Sequence, residues 1–276
     1  TKVIMPVDFG GWPCDYNALN KLVRESEVKR MFKATSTEQE NLGRILILAD
    51  AAHSLGAMQN GKKSGSLTDC SVFSFHAVKN LTTAEGGAVA LNFDHLDNDK
   101  LYDQLCVKTL HGQNKDALAK MQKGNWKYDI VEAGYKMNMT DILAAIGLVE
   151  LERYDSETLV KRKEICLAYN KAFESKPWAI LPELKNDNQE TSYHLYPLRI
   201  AGIEEATRDK IMQQIFEKEV SVNVHFIPVP MMSFYRSLGY SIDNYPVCYR
   251  NYAQEISLPV FFDLTSEQID EIRSEE

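Results

Sequence analysis

The chain has 276 residues, enough for one large or two medium domains, and its 44% apolar and 25% charged residues are ordinary for a soluble globular protein. A formal net charge of −8 implies no basic surface and argues against a nucleic-acid binder, while leaving room for an anionic small molecule in a locally positive pocket. No apolar run approaches the ~20 residues of a membrane span, and the first residues lack a basic-then-apolar signal pattern. Five scattered cysteines fit neither a disulfide framework nor a zinc ligand set, so a reducing cytoplasm is the simplest home.

Residues 3–7 read as a strand that begins at once. Gly10-Gly11-Trp12-Pro13 turns the chain, and Asp15 is placed to cap a helix carrying Leu19, Leu22 and Val23. The charged, Ser/Thr-rich residues 24–43 read as helix end plus surface insertion. Four large apolar residues in a row, 45–48, predict a strand buried on both faces, the habit of a parallel sheet, which completes a βαβ unit. A loop over 56–70 leads to further strands at 72–75 and 88–91. Residues 94–110 read as an irregular segment and a helix with Leu101, Leu105 and Cys106 inward, and 111–128 as a mobile polar loop with Trp126 its one bulky apolar residue.

Asn138 lies three residues before Asp141, the spacing of a capping box. The helix that follows is apolar nearly all round (Ile142, Leu143, Ile146, Leu148, Val149, Leu151), which predicts burial. A domain change is expected near 153–157, giving a large domain over 1–153 and a small one over 154–276. The second opens on an amphipathic helix with Leu159, Cys166, Tyr169 and Phe173 on one face. A strand at 193–200, a helix at 206–217, a strand at 221–224, a Pro-rich loop at 226–230 and a helix after Thr265 make it a small α+β domain.

Two stretches carry chemistry. The strand at 72–75 leads to Lys79, then Thr82-Thr83 and Gly86-Gly87. A lysine at the end of a buried strand is held from ionising by desolvation, and a neutral amine is what Schiff-base formation with an aldehyde requires. Ser74 offers a hydroxyl to an anion, and the glycines let backbone approach a bulky group. Upstream, Asp50 stands at the carboxyl end of the strand at 45–49, where open α/β sheets bind ligands. Taken singly, Lys79 reads as a surface lysine and Asp50 as a helix N-cap. Taken jointly, Lys79, Ser74 and Asp50 supply an amine for an aldehyde, a hydroxyl for a phosphate and an acid for a pyridinium nitrogen, the set that pyridoxal phosphate needs for its ring to act as an electron sink.

Asp50-Ala51-Ala52-His53, the run from Ser74 through Lys79 to Gly87, Gly134-Tyr135-Lys136-Met137-Asn138-Met139-Thr140-Asp141, Val224-His225-Phe226-Ile227-Pro228 and Leu258-Pro259-Val260-Phe261 together resemble the DegT/StrS-class aminotransferases. The resemblance runs through almost the whole chain. It implies a fold-type-I α/β architecture, with a mixed, mostly parallel sheet flanked by helices and a small α+β C-terminal domain. It implies pyridoxal phosphate as cofactor, Lys79 as the lysine that binds its aldehyde and shuttles the proton, Asp50 on the ring nitrogen and Ser74 on the phosphate. His53 is implied beside the ring, against its alternative as a satisfied histidine at a helix start. Asn138 resembles the residue that a partner subunit lends to the phosphate, with helix capping its rival role, and His225 resembles a substrate-facing position, with a loop histidine holding a local partner as the alternative. His76 packs beside the phosphate or fills the turn. A related dehydratase branch has histidine where this chain has Lys79, which argues against that branch.

The implied reaction moves an amino group, with glutamate the usual donor, to a nucleotide-linked keto-sugar for polysaccharide or glycan synthesis, in a homodimer with shared sites. No metal, nucleic acid or membrane is implied. The family's opening portion has no counterpart here, so an incomplete copy and a shortened protein are both expected readings. Two rival functions stay open: a non-catalytic or regulatory homologue, and a cyclitol aminotransferase.

Overall fold

A computed structural model describes residues 1–114, 123 and 126–274, and their packing divides the chain into two units. The first comprises Thr1–Asp8, Pro13–Leu55 and Gln59–Arg153. It is built on a four-stranded sheet of β1 (Val3–Ile4), β2 (Leu46–Asp50), β3 (Cys70–Ser74) and β4 (Gly87–Leu91), in that spatial order. The first three strands run parallel and β4 is antiparallel to β3. The helix α1 (Tyr16–Arg24) begins where Asp15 accepts a hydrogen bond from the Ala18 amide, so the expected cap is in place. It lays Tyr16 and Val23 on Ile47 and Ala49, while Leu22 faces solvent. The 24–43 stretch forms two short helices, α2 (Ser26–Met31) and α3 (Thr37–Leu42), neither of which buries a residue.

Among the described residues one face of the sheet is well covered and the other only in part. In β2 burial alternates, with Ile47 and Ala49 buried and Leu46 and Leu48 half-buried. In register with the latter run Val3, Val72 and Val89, all exposed. The expectation of burial on both faces is therefore corrected. An uninterrupted apolar run records the capacity to be covered, and within this chain α1 covers only one side.

Two helices depart further from expectation. In α4 (Asn98–Thr109) no residue is buried, and Leu105 and Cys106 are exposed. In α5 (Asp141–Arg153) Ile142 is 75% exposed, Leu148 63% and Val149 61%, so the predicted burial is absent within the chain. Its inner contact is made by Gly147, where a side-chain carbon would come within 2.9 Å of Thr83. Leu143, Ala144 and Gly147 are half-buried on the inner side, and the apolar residues on the other faces stay exposed. The expected loop over 111–128 lies partly outside the described residues. Within it Trp126 is exposed.

The second unit comprises Phe9–Trp12, Gly56–Met58 and Tyr154–Glu276. A π-helical turn at Tyr154–Thr158 leads into α6 (Leu159–Phe173), whose Ile165, Cys166, Tyr169 and Phe173 pack on an antiparallel sheet. Its strands are β5 (Ala179–Ile180), β6 (Tyr196–Ile200) and β7 (Glu255–Leu258), with β6 in the middle. The helices α7 (Glu205–Glu217), α8 (Ser233–Ser237), α9 (Pro246–Gln254) and α10 (Ser266–Arg273) complete it, and Thr265 and Gln268 cap α10 reciprocally. Among the described residues no helix is long and apolar enough to cross a membrane.

The parallel pair β2–β3 is pinned by one buried ion pair. Arg44, just before β2, makes two bonds to Asp69, just before β3, at 2.6 and 2.7 Å, and the same carboxylate accepts the Ile47 amide at 3.0 Å. Their side chains are 3% and 2% exposed. Removing the acid strands a buried guanidinium and an amide, so Asp69→Ala is expected to cost about 3–5 kcal/mol of stability, read by chemical denaturation.

Candidate active site

β2 and β3 run side by side, with Leu48 opposite Cys70, Ala49 opposite Ser71 and Asp50 opposite Val72. Because they are parallel, both carboxyl ends lie at one sheet edge, and the sequence places Asp50 on one and Ser74 on the other. No helix starts after Asp50. Its Oδ1 instead accepts the Ala52 amide at 3.2 Å, and a turn carries half-buried His53, so helix capping is not its role and a helix start is not the setting of His53. Ser74 closes β3 opposite Gly87, and its hydroxyl oxygen accepts the His76 amide at 3.3 Å.

Lys79 sits in the loop joining β3 to β4. That loop is closed at its base by Phe75 N–H to Gly86 O at 2.9 Å and Thr83 N–H to Phe75 O at 2.9 Å, and seated by buried Asn80, Leu81 and Thr83. Burial holds the Lys79 ammonium below its ordinary range, against the carboxylate of Asp50, which is near enough to draw it upward. The two residues thus share one electrostatic environment. His76 is half-exposed, with Nε2 3.7 Å from the Glu85 carboxylate.

The glycines leave room for neighbouring atoms of the protein itself. A side-chain carbon on Gly87 would lie 2.6 Å from the Phe73 carbonyl oxygen, and one on Gly86 would lie 2.5 Å from Thr83 Oγ1 and 2.7 Å from the Met139 methyl. The same contacts bring the segment before α5, and so Asn138, up to the lysine loop. Asn138 does not cap α5: Lys136 donates to its Oδ1, and its amide nitrogen reaches the Met139 carbonyl at 3.4 Å.

Asp8 carries no motif, yet it fixes this edge. Buried in the segment that follows β1, it accepts the Tyr16 hydroxyl at 2.6 Å, the Ser54 hydroxyl at 2.6 Å and the Cys14 amide at 2.9 Å, and its own amide donates to the Asp50 carbonyl at 3.1 Å. Desolvation pushes its carboxyl up in spite of these bonds, with a smaller push from Asp50. The loop that follows Asp50 is thereby tied to α1 through one acid.

His225 lies in the second unit, half-buried, with its Nδ1 2.7 Å from the Ser257 hydroxyl. It is a histidine with a local partner. Ser257 and Glu255, which engage it, belong to no motif quoted above. The polar–apolar alternation Glu255-Ile256-Ser257-Leu258 was the available signal for a strand with two polar residues on one face.

Comparison with known proteins identifies the family. The model of the DegT/DnrJ/EryC1/StrS aminotransferase family matches residues 1–275. A candidate sugar aminotransferase of Streptococcus pneumoniae, Spr1654, solved in its PMP-form, superposes with a TM-score of 0.92 at 42% identity, covering 99% of this chain and 68% of that one. Among curated relatives, the spore coat polysaccharide biosynthesis protein SpsC of Bacillus subtilis is 32% identical over 99% of this chain and 65% of its own length. The UDP-4-amino-4,6-dideoxy-N-acetyl-beta-L-altrosamine transaminase of Campylobacter jejuni is 32% identical over 83% of this chain and 58% of its own. The chain thus spans less than two thirds of the length of these curated relatives. It belongs to the DegT/DnrJ/EryC1/StrS aminotransferase family. Its fold is the α/β fold of the fold-type-I aminotransferases.

Desolvation raises the Glu255 carboxyl to about 7, above the 4.5 of an exposed glutamate. A raised acid contributes stability that is full below pH 4.5 and lost as pH rises through about 7. Between those limits the wild type is expected to lose on the order of 3 kcal/mol relative to Glu255→Gln, measured as unfolding free energy across the pH range.

Proposed function

We propose that the protein transfers an amino group, with glutamate as donor, to a nucleotide-linked keto-sugar in polysaccharide or glycan synthesis, using pyridoxal phosphate. The observation that carries the reading is the partly desolvated amine of Lys79 within the field of Asp50, at the edge where β2 and β3 end. The residues present fit the cofactor: an amine, a hydroxyl and a carboxylate, on one unit and at one edge. Bound there, pyridoxal phosphate supplies an aldehyde and an electron-accepting ring.

Each side chain then has a defined task. Lys79, its ammonium destabilised by burial, keeps a larger neutral fraction at neutral pH, so its Nζ would bind the aldehyde and, once freed, would hold and return the proton taken from the donor carbon. Asp50 would hold the ring nitrogen protonated, Ser74 would bind the phosphate, and His53 would serve the ring. Asn138 serves the phosphate of a partner's site, and His225 is assigned to the substrate. Support for the sugar comes from the SpsC and altrosamine transaminase relatives, and for the cofactor from the PLP-form of Spr1654, which is 39% identical with a TM-score of 0.91. A homodimer with shared sites belongs to the same reading, supported by the exposed apolar surface of α5. So does a cytoplasmic home, supported by five cysteines that stand as free thiols.

Mixing the protein with pyridoxal phosphate and recording the visible spectrum before and after glutamate tests the chemistry. A lysine-bound absorbance band that glutamate bleaches is expected. A band indifferent to every amino donor identifies a binding-only homologue. Lys79→Ala is expected to lose the band and to lower amino transfer at least about 10²-fold. Persistence of the band would overturn the lysine assignment. For the assembly, Ile142→Glu with Val149→Glu is expected to shift the sedimentation coefficient from dimer to monomer, and an unchanged coefficient removes α5 from the interface.

A further inference from the structure

Strand alternation puts Glu255 and Ser257 on one face of β7, while Ile256 and Leu258 enter the hydrophobic core. Asn223 and Ser257 exchange backbone hydrogen bonds at 3.2 and 2.8 Å, which lays the segment carrying His225 along that strand. The His225 amide donates to Glu255 Oε2 at 2.9 Å, its ring Nδ1 stands 2.7 Å from Ser257 Oγ, and the Ser257 hydroxyl bonds Glu255 Oε1. Glu255 and Ser257 are 3% and 4% exposed. Acid, hydroxyl and imidazole form one chain of hydrogen bonds, and its middle member has a single hydrogen to give.

We propose that Glu255 is a positioning residue that sets, through Ser257, which ring nitrogen of His225 carries the hydrogen. An ionised carboxylate only accepts, so Ser257 gives it the hydroxyl hydrogen, and the serine oxygen accepts from Nδ1–H of the imidazole. The neutral ring then presents a lone pair at Nε2. When Glu255 takes a proton from solvent, its O–H donates to Ser257, whose hydroxyl turns toward Nδ1. The ring loses one hydrogen at Nδ1 and gains one at Nε2, which becomes a donor, so the imidazole stays neutral and the added proton rests on the acid. The meaning for a substrate rests on the assignment of His225 above. The relay itself does not.

Burial brings the Glu255 carboxyl to about 7, against the lowering influence of Ser257, the His225 amide and Arg208. From β6, Arg199 stands opposite Glu255 in register and is held by Asn251 at 2.6 Å. From α7, Arg208 donates to the carbonyls of Tyr252 and Glu255 at 2.8 and 3.2 Å, and is paired with Asp209 at 2.7 Å and Glu205 at 4.0 Å. From α9, the Tyr252 hydroxyl donates to Glu205 at 2.7 Å. Arg208 therefore spends its donors on backbone and on other acids, leaving the serine as the side chain that answers the protonation of Glu255.

Imidazole nitrogen NMR on histidine-labelled protein tests the relay, with His225→Gln used only to assign the signal. At about pH 8.5, two units above the ordinary histidine pKa, the wild type is expected to show the Nδ1–H form of His225. In Glu255→Gln the His225 amide selects the carboxamide oxygen at the Oε2 position, so the NH₂ faces Ser257 and the Nε2–H form is expected. The same form in both proteins overturns the proposal. As pH falls, the wild type is expected to gain the Nε2–H form while Ser257→Ala shows no such exchange. A wild type that keeps Nδ1–H until the ring itself charges also overturns it, and this arm needs no variant to fold. The readout requires neither cofactor nor substrate, so its failure is distinct from failure of the glutamate assay.

Discussion

The pairing of two parallel strands governs everything at the candidate site. Asp50 and the lysine loop are separated in sequence by a long excursion, and only the β2–β3 register brings the acid to the edge from which that loop departs. The register is held from the far end, where Arg44 and Asp69 clasp across the strand starts and the same acid takes the Ile47 amide. An ion pair buried this deeply is costly to desolvate and is retained only if its geometry satisfies its donors. Here it does, and its effect is to forbid a slip that would move Asp50 away from the lysine.

At the site end the restraints are neutral hydrogen bonds around acids. Asp8 gathers a hydroxyl from α1, a hydroxyl from the loop after Asp50 and an amide from the preceding turn. The lysine loop is closed by its own backbone and permits no side chain at Gly87. In the second unit, Glu255 plays the corresponding part for His225. Buried acids with complete partners recur beside the candidate site residues, because an unpaired buried acid would destabilise the fold.

Local signals were readable without coordinates. The cap at Asp15, the helix after Thr265 and the strand before Asp50 follow from residue type and spacing, and the lysine stretch identified itself by pattern. The misreadings concern what lies across from a residue. Apolarity in α5 and in β2 states a preference, while burial depends on which element arrives to cover it. Asn138 has a capping spacing, but Lys136 engages its oxygen first. Glu255 and Ser257 stayed silent because their meaning comes from a histidine thirty residues away in sequence and one hydrogen bond away in space.

The partly covered face of the first sheet carries Val3, Val72 and Val89 in register with the row of β2 that ends in Asp50. Any body that settles on those valines also thins the water around the acid and, through it, around the nitrogen of Lys79. Dryness at the reactive edge is then a collective property, set by what rests on the valines as much as by the strands beneath. Basicity of the amine and stickiness of the surface are two readings of the same hydration layer.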